Sequence, residues 1–152
     1  MKVYVMVKTE IFKVYDANQV ILPTQTGLLG VLDNHGSFMV ALQNGTMLVQ
    51  GQDNDWLGVA ILEGGALLVK DYPFEKNVIE LVGQPPIGST CLLILVDNAK
   101  STKDLDPIET KEAYELAKIQ LAKADSKKKF LLAERAVNRT RTFYQATKTL
   151  PQ

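Results

Sequence analysis

The sequence predicts a β + α protein: an N-terminal antiparallel β-sandwich of about ten short strands, followed by a C-terminal antiparallel two-helix hairpin. Three observations predict it. The composition changes near residue 100, from Val, Leu, Ile and Gly before it to Ala, Lys, Glu, Arg and Leu after it, and no glycine follows Gly88. Short apolar runs bounded by turn residues fill the first part, as in sandwiches and barrels. Beyond Asp106 the apolar spacing becomes helical. No long helical pattern interrupts the strands, which argues against a parallel α/β sheet.

The candidate strands are Lys2–Lys8, Ile11–Tyr15, Gln19–Pro23, Leu28–Leu32, Ser37–Leu42, Thr46–Gln50, Trp56–Leu62, Ala66–Lys70, Val78–Val82 and Cys91–Val96. Turn residues separate them: Asp16-Ala17-Asn18, Asp33-Asn34, Asn44-Gly45, Gly51 to Asp55 and Gly64-Gly65. Between residues 19 and 45 the chain sets Leu22-Pro23, Gly27, Gly30, His35 and Gly45 at fixed spacing. Glycine at 27 and 30 asks for backbone shapes that a Cβ disfavours. This predicts a Gly-dependent loop between two strands, presenting the lone histidine, His35, for contact.

The helices follow from start and stop signals. Asp106 can cap, Pro107 suits the first helical position, and Glu109 completes a capping box. Ala113, Leu116, Ala117, Gln120, Leu121 and Ala124 then recur at helical spacing. Asp125-Ser126 gives a break and a new cap. The second helix is expected over about 127–148, with Pro151 closing it and Ala133, Ala136, Val137, Thr140 and Tyr144 as a narrow apolar stripe. Small residues on both stripes allow close approach in a hairpin. The expected division is a sandwich over 1–100, a linker over 101–106 and a hairpin over 107–152.

The 152 residues suffice for one domain with an appendage, and 46% hydrophobic residues suffice for a core. Net charge is zero, yet it is unevenly spread: residues 1–107 hold 7 basic and 12 acidic side chains, and residues 126–152 hold 7 basic and one acidic. The basic arm reads as a solvated helix face or as a docking arm for an acidic surface. The single cysteine, Cys91, excludes an intramolecular disulfide and sits in an apolar run, where a buried inert thiol is expected. No run is long and apolar enough to be a membrane helix. The opening MKVYVMVKTEIF alternates like a strand and has no apolar signal core, so the protein is expected to work in the compartment where it is made.

Catalytic patterns are absent. His35 is the only histidine, which excludes His-rich metal sites. No nucleophile elbow, phosphate loop or GxGxxG pattern occurs. Asp53 and Asp55 sit in a polar turn. The sequence therefore points away from an enzyme, and no cofactor or metal is expected.

With these residues in hand, the chain resembles the epsilon subunit of F-type ATP synthases, most of all its chloroplast and cyanobacterial branch. The matching residues are Leu22-Pro23, Gly27, Gly30, Leu32, His35, Leu42, Gly45 and Gly64-Gly65-Ala66 with Val69. Further matches are Ile94 to Ala99, Leu105-Asp106-Pro107 and Leu132 to Arg139. The resemblance covers nearly the whole chain. It implies a β-sandwich and helical hairpin in the central rotor stalk, performing no chemistry of its own. It implies as partners the gamma subunit, the membrane-embedded c-ring and the beta and alpha subunits of the catalytic head, with no nucleic acid. By position, Gly27, Leu28, Leu29, Gly30 and His35 are expected to contact gamma and the c-ring. Lys127, Lys128, Lys129, Arg135, Arg139 and Arg141 are expected to form an inhibitory contact with the head when the hairpin extends. The implied location is the stromal face of the chloroplast thylakoid membrane, or the cytoplasmic side of a bacterial or cyanobacterial thylakoid.

The chain also departs from that family. Ser37 stands where many members have Pro, and Leu28 where some are acidic. Leu105-Asp106 is followed by Glu109 and Thr110, so the arginine of the nucleotide-binding pattern of some bacterial members is missing and no tight ATP binding is expected. An insertion of roughly 18 residues lies between Asp71 and Thr90 (about 72–90), with Val78–Val82 expected as an added edge strand and Pro85-Pro86 ending it. It reads as a surface excursion or as an extra contact with gamma or another subunit. Two other readings compete: a β-sandwich ligand-binding or adaptor module with a helical dimerisation arm, and a nucleic-acid binder using the basic helix. Zero net charge and few aromatics on that helix weigh against the latter.

Overall fold

The computed structural model describes residues 1–149. Seven strands are followed by two long helices: β1 (Lys2–Val7), β2 (Glu10–Thr24), β3 (Gly27–Leu32), β4 (Phe38–Leu42), β5 (Gly45–Gly51), β6 (Trp56–Lys70), a short α1 (Lys76–Val82), β7 (Thr90–Ser101), α2 (Pro107–Ala122) and α3 (Lys127–Ala146). A 3-10 turn over Thr102–Asp104 joins β7 to α2. Pro151, expected to stop the second helix, lies outside the described residues.

The strand count falls from about ten to seven because two pairs of expected strands merge and Val78–Val82 folds as a helix. The expected turns at Asp16-Ala17-Asn18 and Gly64-Gly65 are strand interiors, so β2 and β6 each run for 15 residues. Each long strand serves two partners end to end. β2 pairs β1 through residues 10–16 and β3 through 19–24; β6 pairs β5 through 56–61 and β4 through 64–68. Such strands bridge both halves of the sandwich, so a local polar or glycine cluster does not end them.

The pairing is mixed rather than wholly antiparallel. β1 runs parallel to β7, from Lys2 opposite Cys91 to Val7 opposite Val96. This pair closes a ring β1–β7–β6–β5–β2. Closure pairs β1 on both sides, and β7 on both sides through Cys91–Val96. Val78–Val82 therefore has nothing to pair with there, and it folds as α1 instead. Val78, Ile79 and Val82 are its partly buried residues, at helical spacing.

Inside the ring, Val3, Val5, Val20, Leu22, Ile61 and Ile94 are fully buried and belong to one core. The outer face of β1, β6 and β7 is also apolar. There Tyr4, Cys91 and Leu93 form a second cluster, covered by Tyr72, Phe74 and Val82 of the inserted segment. Phe74 packs on Tyr4 with ring centroids 4.7 Å apart, and on Tyr72 at 4.9 Å. The insertion is thus a lid over a sheet face that water would otherwise reach.

Two glycines fit their places for different reasons. Gly64 lies where β6 and β7 approach so closely that a Cβ would fall 1.9 Å from the Leu95 carbonyl oxygen. Gly45 faces Pro23, whose Cβ would lie 2.9 Å from an added Cβ, which explains the spacing of Leu22-Pro23 and Gly45.

Candidate functional site

The expected Gly27–Gly30 loop is a strand. Residues 27–32 form β3, which among the described residues pairs only with β2 and so leaves one edge open. The turn before it is Thr24 to Gly27. Thr24 Oγ1 donates to the Gly27 carbonyl at 2.6 Å, and the Thr26 amide donates back to Thr24 Oγ1 at 3.3 Å. Gly27 has φ +126, a conformation that favours glycine. Gly30 has no such φ, and a Cβ there would meet only the Gln19 side chain at 3.6 Å. The expectation of a special backbone therefore holds for Gly27 and fails for Gly30, whose conformation is ordinary extended strand.

β3 separates the expected contact residues. Gly27 and Leu28 sit at its start, and His35 lies beyond its end. Six residues of strand span roughly 20 Å. Leu28 is 76% exposed, while Leu29 points inward and packs on the core. His35 is exposed, donates from Nδ1 to the Gly36 carbonyl at 2.8 Å, and sets its ring edge-on to Phe38 at 5.1 Å. Those contacts fix the loop shape. The His35 loop and the end of the insertion, Pro86 to Thr90, line one open groove of about 780 Å³. Gly88 in that segment donates its amide to Asp71 Oδ1, which ties the insertion back to the end of β6.

The helical arm is built by its caps. Asp106 Oδ1 accepts from the amides of Ile108 at 2.8 Å and Glu109 at 3.4 Å, with Pro107 opening α2. Ser126 Oγ accepts from the Lys129 amide at 3.2 Å and starts α3. The helices meet through small side chains, with Ala117 and Val137 buried, and through Tyr114 and Tyr144, whose rings lie 5.9 Å apart. α3 in turn packs on β5 and β6.

The six basic residues assigned to one contact are not one cluster. Lys127, Lys128, Lys129 and Arg135 are exposed toward the tip, with Lys129 paired to Asp125 at 3.0 Å. Arg139 is turned inward. Its Nη2 donates to Oδ2 of Asp97 on β7, and both side chains are about two-thirds buried. Arg141 lies over the Tyr114 ring at 5.9 Å. From Lys127 to Arg141 the helix rises roughly 20 Å. Sequence reasoning missed Asp97, Lys100 and Phe143. The Lys100 ammonium lies 5.2 Å from the Phe143 ring centroid, a second tie between arm and sandwich. An acidic residue inside the apolar run ending β7 was the available signal.

Among the described residues, no group of three or more His, Cys, Asp or Glu could hold a metal ion, and no helix is long and apolar enough to cross a membrane. Cys91 is fully buried, and burial pushes its thiol pKa up. The arrangement offers contact surfaces and a docked arm.

The comparisons agree with this architecture. The profile of the ATP synthase delta/epsilon chain beta-sandwich domain matches residues 1–72. The chain is 35% identical over 145 residues to the chloroplastic ATP synthase epsilon chain of Oltmannsiellopsis viridis, covering 95% of each. It is 33% identical to that of Chlamydomonas reinhardtii, over 88% of this chain and 85% of the relative. In fold it is similar to a chain of the Euglena gracilis mitochondrial ATP synthase structure containing OSCP, F1 and the c-ring, with TM-score 0.68 and 15% identity over 95% of this chain and 79% of the other. It is also similar to a chain of the Tetrahymena thermophila mitochondrial central stalk and c-ring, with TM-score 0.55 and 13% identity over 97% and 96%. This chain belongs to the ATP synthase epsilon-chain family.

Proposed function

We propose that the protein is a non-catalytic central-stalk subunit of a rotary ATP synthase, coupling c-ring rotation to ATP synthesis and restraining ATP hydrolysis through its helical hairpin. The observation that carries this is a sandwich-plus-hairpin fold, matched along nearly its full length by epsilon chains, whose arm is held to the sandwich by the partly exposed Arg139–Asp97 pair. In this reading β3 and the His35 loop, with Leu28 exposed on an open strand edge, meet gamma and the c-ring. Extended, the arm brings Lys127, Lys128, Lys129, Arg135, Arg139 and Arg141 to the beta and alpha subunits.

The ties between arm and sandwich suit a reversible switch. A partly exposed ion pair contributes about 1 kcal/mol or less, and an exposed cation–π contact is similarly small. A few kcal/mol of differential binding to the catalytic head then suffices to move the arm. Relatives named as chloroplastic support a chloroplast protein, and we place it at the stromal face of the thylakoid, peripheral to the membrane through the complex.

The test uses the full chain carrying Asp97→Cys and Arg139→Cys, added to a catalytic head stripped of its own epsilon. Bridging the two thiols with a short bis-maleimide should relieve inhibition of ATP hydrolysis while binding persists. Equal inhibition with and without the bridge would remove the arm as the brake.

A further inference from the structure

α3 buries small residues along its length and exposes three large ones near its start. Val137 and Ala146 are buried, whereas Phe130, Leu131 and Leu132 are 48%, 54% and 59% exposed. All six residues Lys127–Leu132 are exposed, so three lysines lead directly into three large apolar side chains at the free end of the hairpin. Ile119, in the last turn of α2 at the same end, is 51% exposed. The helix pair is closed by Ala117, Val137 and the two tyrosines. As consecutive helical residues, Phe130, Leu131 and Leu132 point in successive directions about 100° apart, so they make this end of α3 apolar around most of its circumference, and exposed Phe and Leu of that extent mark an interaction surface.

We propose that Phe130, Leu131 and Leu132 are the anchor of the extended arm, seating in an apolar pocket with an acidic rim on the catalytic head, and that Lys127–Lys129 serve to steer the approach. This rests on the hairpin acting as the brake. The rim is assigned as acidic from charge complementarity: residues 126–152 carry seven basic side chains and one acidic. The division of labour follows from the physics of the two groups. Burying Leu or Phe gains more than an exposed ion pair does, and apolar burial is not screened by salt. Anchors of this kind, ringed by charge, dominate protein interfaces, while rim charges act mainly on association rate.

The test measures ATP hydrolysis by the epsilon-stripped head with saturating full-length protein, at low and high salt. Three proteins are compared: the parent, Phe130→Ser/Leu131→Ser/Leu132→Ser, and Lys127→Gln/Lys128→Gln/Lys129→Gln. Circular dichroism checks that helix content is kept, and the single variant Leu131→Ser serves if the triple loses helix. The apolar variant should lower the inhibited-to-active ratio about tenfold at both salts. The lysine variant should slow the onset of inhibition at low salt and match the parent at high salt. An apolar variant that inhibits like the parent, or a parent whose steady inhibition vanishes at high salt, overturns the proposal. Flotation with vesicles of neutral and anionic lipid tests the rival occupant, and binding lost only in the apolar variant would assign the tip to membrane instead. If bridging residues 97 and 139 leaves inhibition unchanged, the brake reading fails and the anchor fails with it. If bridging relieves inhibition and the apolar variant does not, the anchor alone fails.

Discussion

Arg139 of α3 and Asp97 of β7 form an ion pair across 42 residues of chain, linking the basic arm to the sandwich. The arginine that resemblance assigns to an external contact is thus held internally while the arm is docked. One guanidinium cannot serve both sites together, so on the proposed reading release of the arm and engagement of Arg139 would be coupled.

Removing that pair should loosen docking. Asp97→Ala is expected to shift the docked-to-free ratio up to about fivefold, which corresponds to about 1 kcal/mol for a partly exposed pair. The rate of tryptic cleavage after the exposed Lys103, between the sandwich and α2, should rise by that factor, and inhibition of hydrolysis should deepen. The swapped pair Asp97→Arg/Arg139→Asp should restore slow cleavage. An unchanged rate in Asp97→Ala would mean that the pair does not hold the arm.

Gly64 and Gly30 should respond oppositely to the same change. Gly64→Ala forces β6 and β7 apart, because backbone atoms of Leu95 occupy the Cβ position. A loss of about 3 kcal/mol is expected, the upper range for overpacking. Gly30→Ala, in ordinary strand where a Cβ makes only an ordinary contact with the Gln19 side chain, should stay within about 0.5 kcal/mol of the parent. Urea midpoints measure both.

The lid over the outer face can be read through Cys91. Its thiol is buried beneath the inserted segment and its pKa is raised by burial, so it should react slowly with a thiol reagent in the folded protein. Phe74→Ala removes the ring stacked on Tyr4. Labelling should accelerate at least tenfold, with a stability loss of about 2 kcal/mol. Parent protein that labels as fast as an unfolded peptide would contradict the lid.

Tyr15 gives a pH signature. Burial, helped by the Asp104 carboxylate, pushes its phenol up to about 12. The folded state therefore holds this proton more tightly than the unfolded chain, whose phenol ionises near the ordinary value of about 10. Its stabilising contribution is complete below pH 10 and is lost as pH rises from 10 through 12. The loss amounts to roughly 3 kcal/mol, and Tyr15→Phe should flatten that part of the profile. Chemical denaturation from pH 9 to 12 reads it.

Much of this protein was legible in local pattern. The division near residue 100 shows in composition, and α2 and α3 show in their caps, since Asp106 and Ser126 act through bonds to residues two and three positions away. The strand regions show by alternation, because a half-buried strand must place apolar residues on one face. What local pattern could not show depends on partners distant in sequence. Asn18 and Gly64 look like turn residues, yet each lies within a long strand: Gly64 pairs with Leu42 and Val96, and Asn18 is an irregularity between the paired Ala17 and Gln19, so long-range pairing outweighs local preference. Residues 78–82 look like a strand, yet the parallel β1–β7 pair removes the edge they would need. The charge of the arm was readable, but its division between an exposed tip and a docked base was not. By itself the sequence determined the fold class, the two long helices and the basic arm. Only the tertiary structure decided which strands merge, what the insertion covers and that Arg139 faces Asp97, because long-range pairing and close packing set those outcomes.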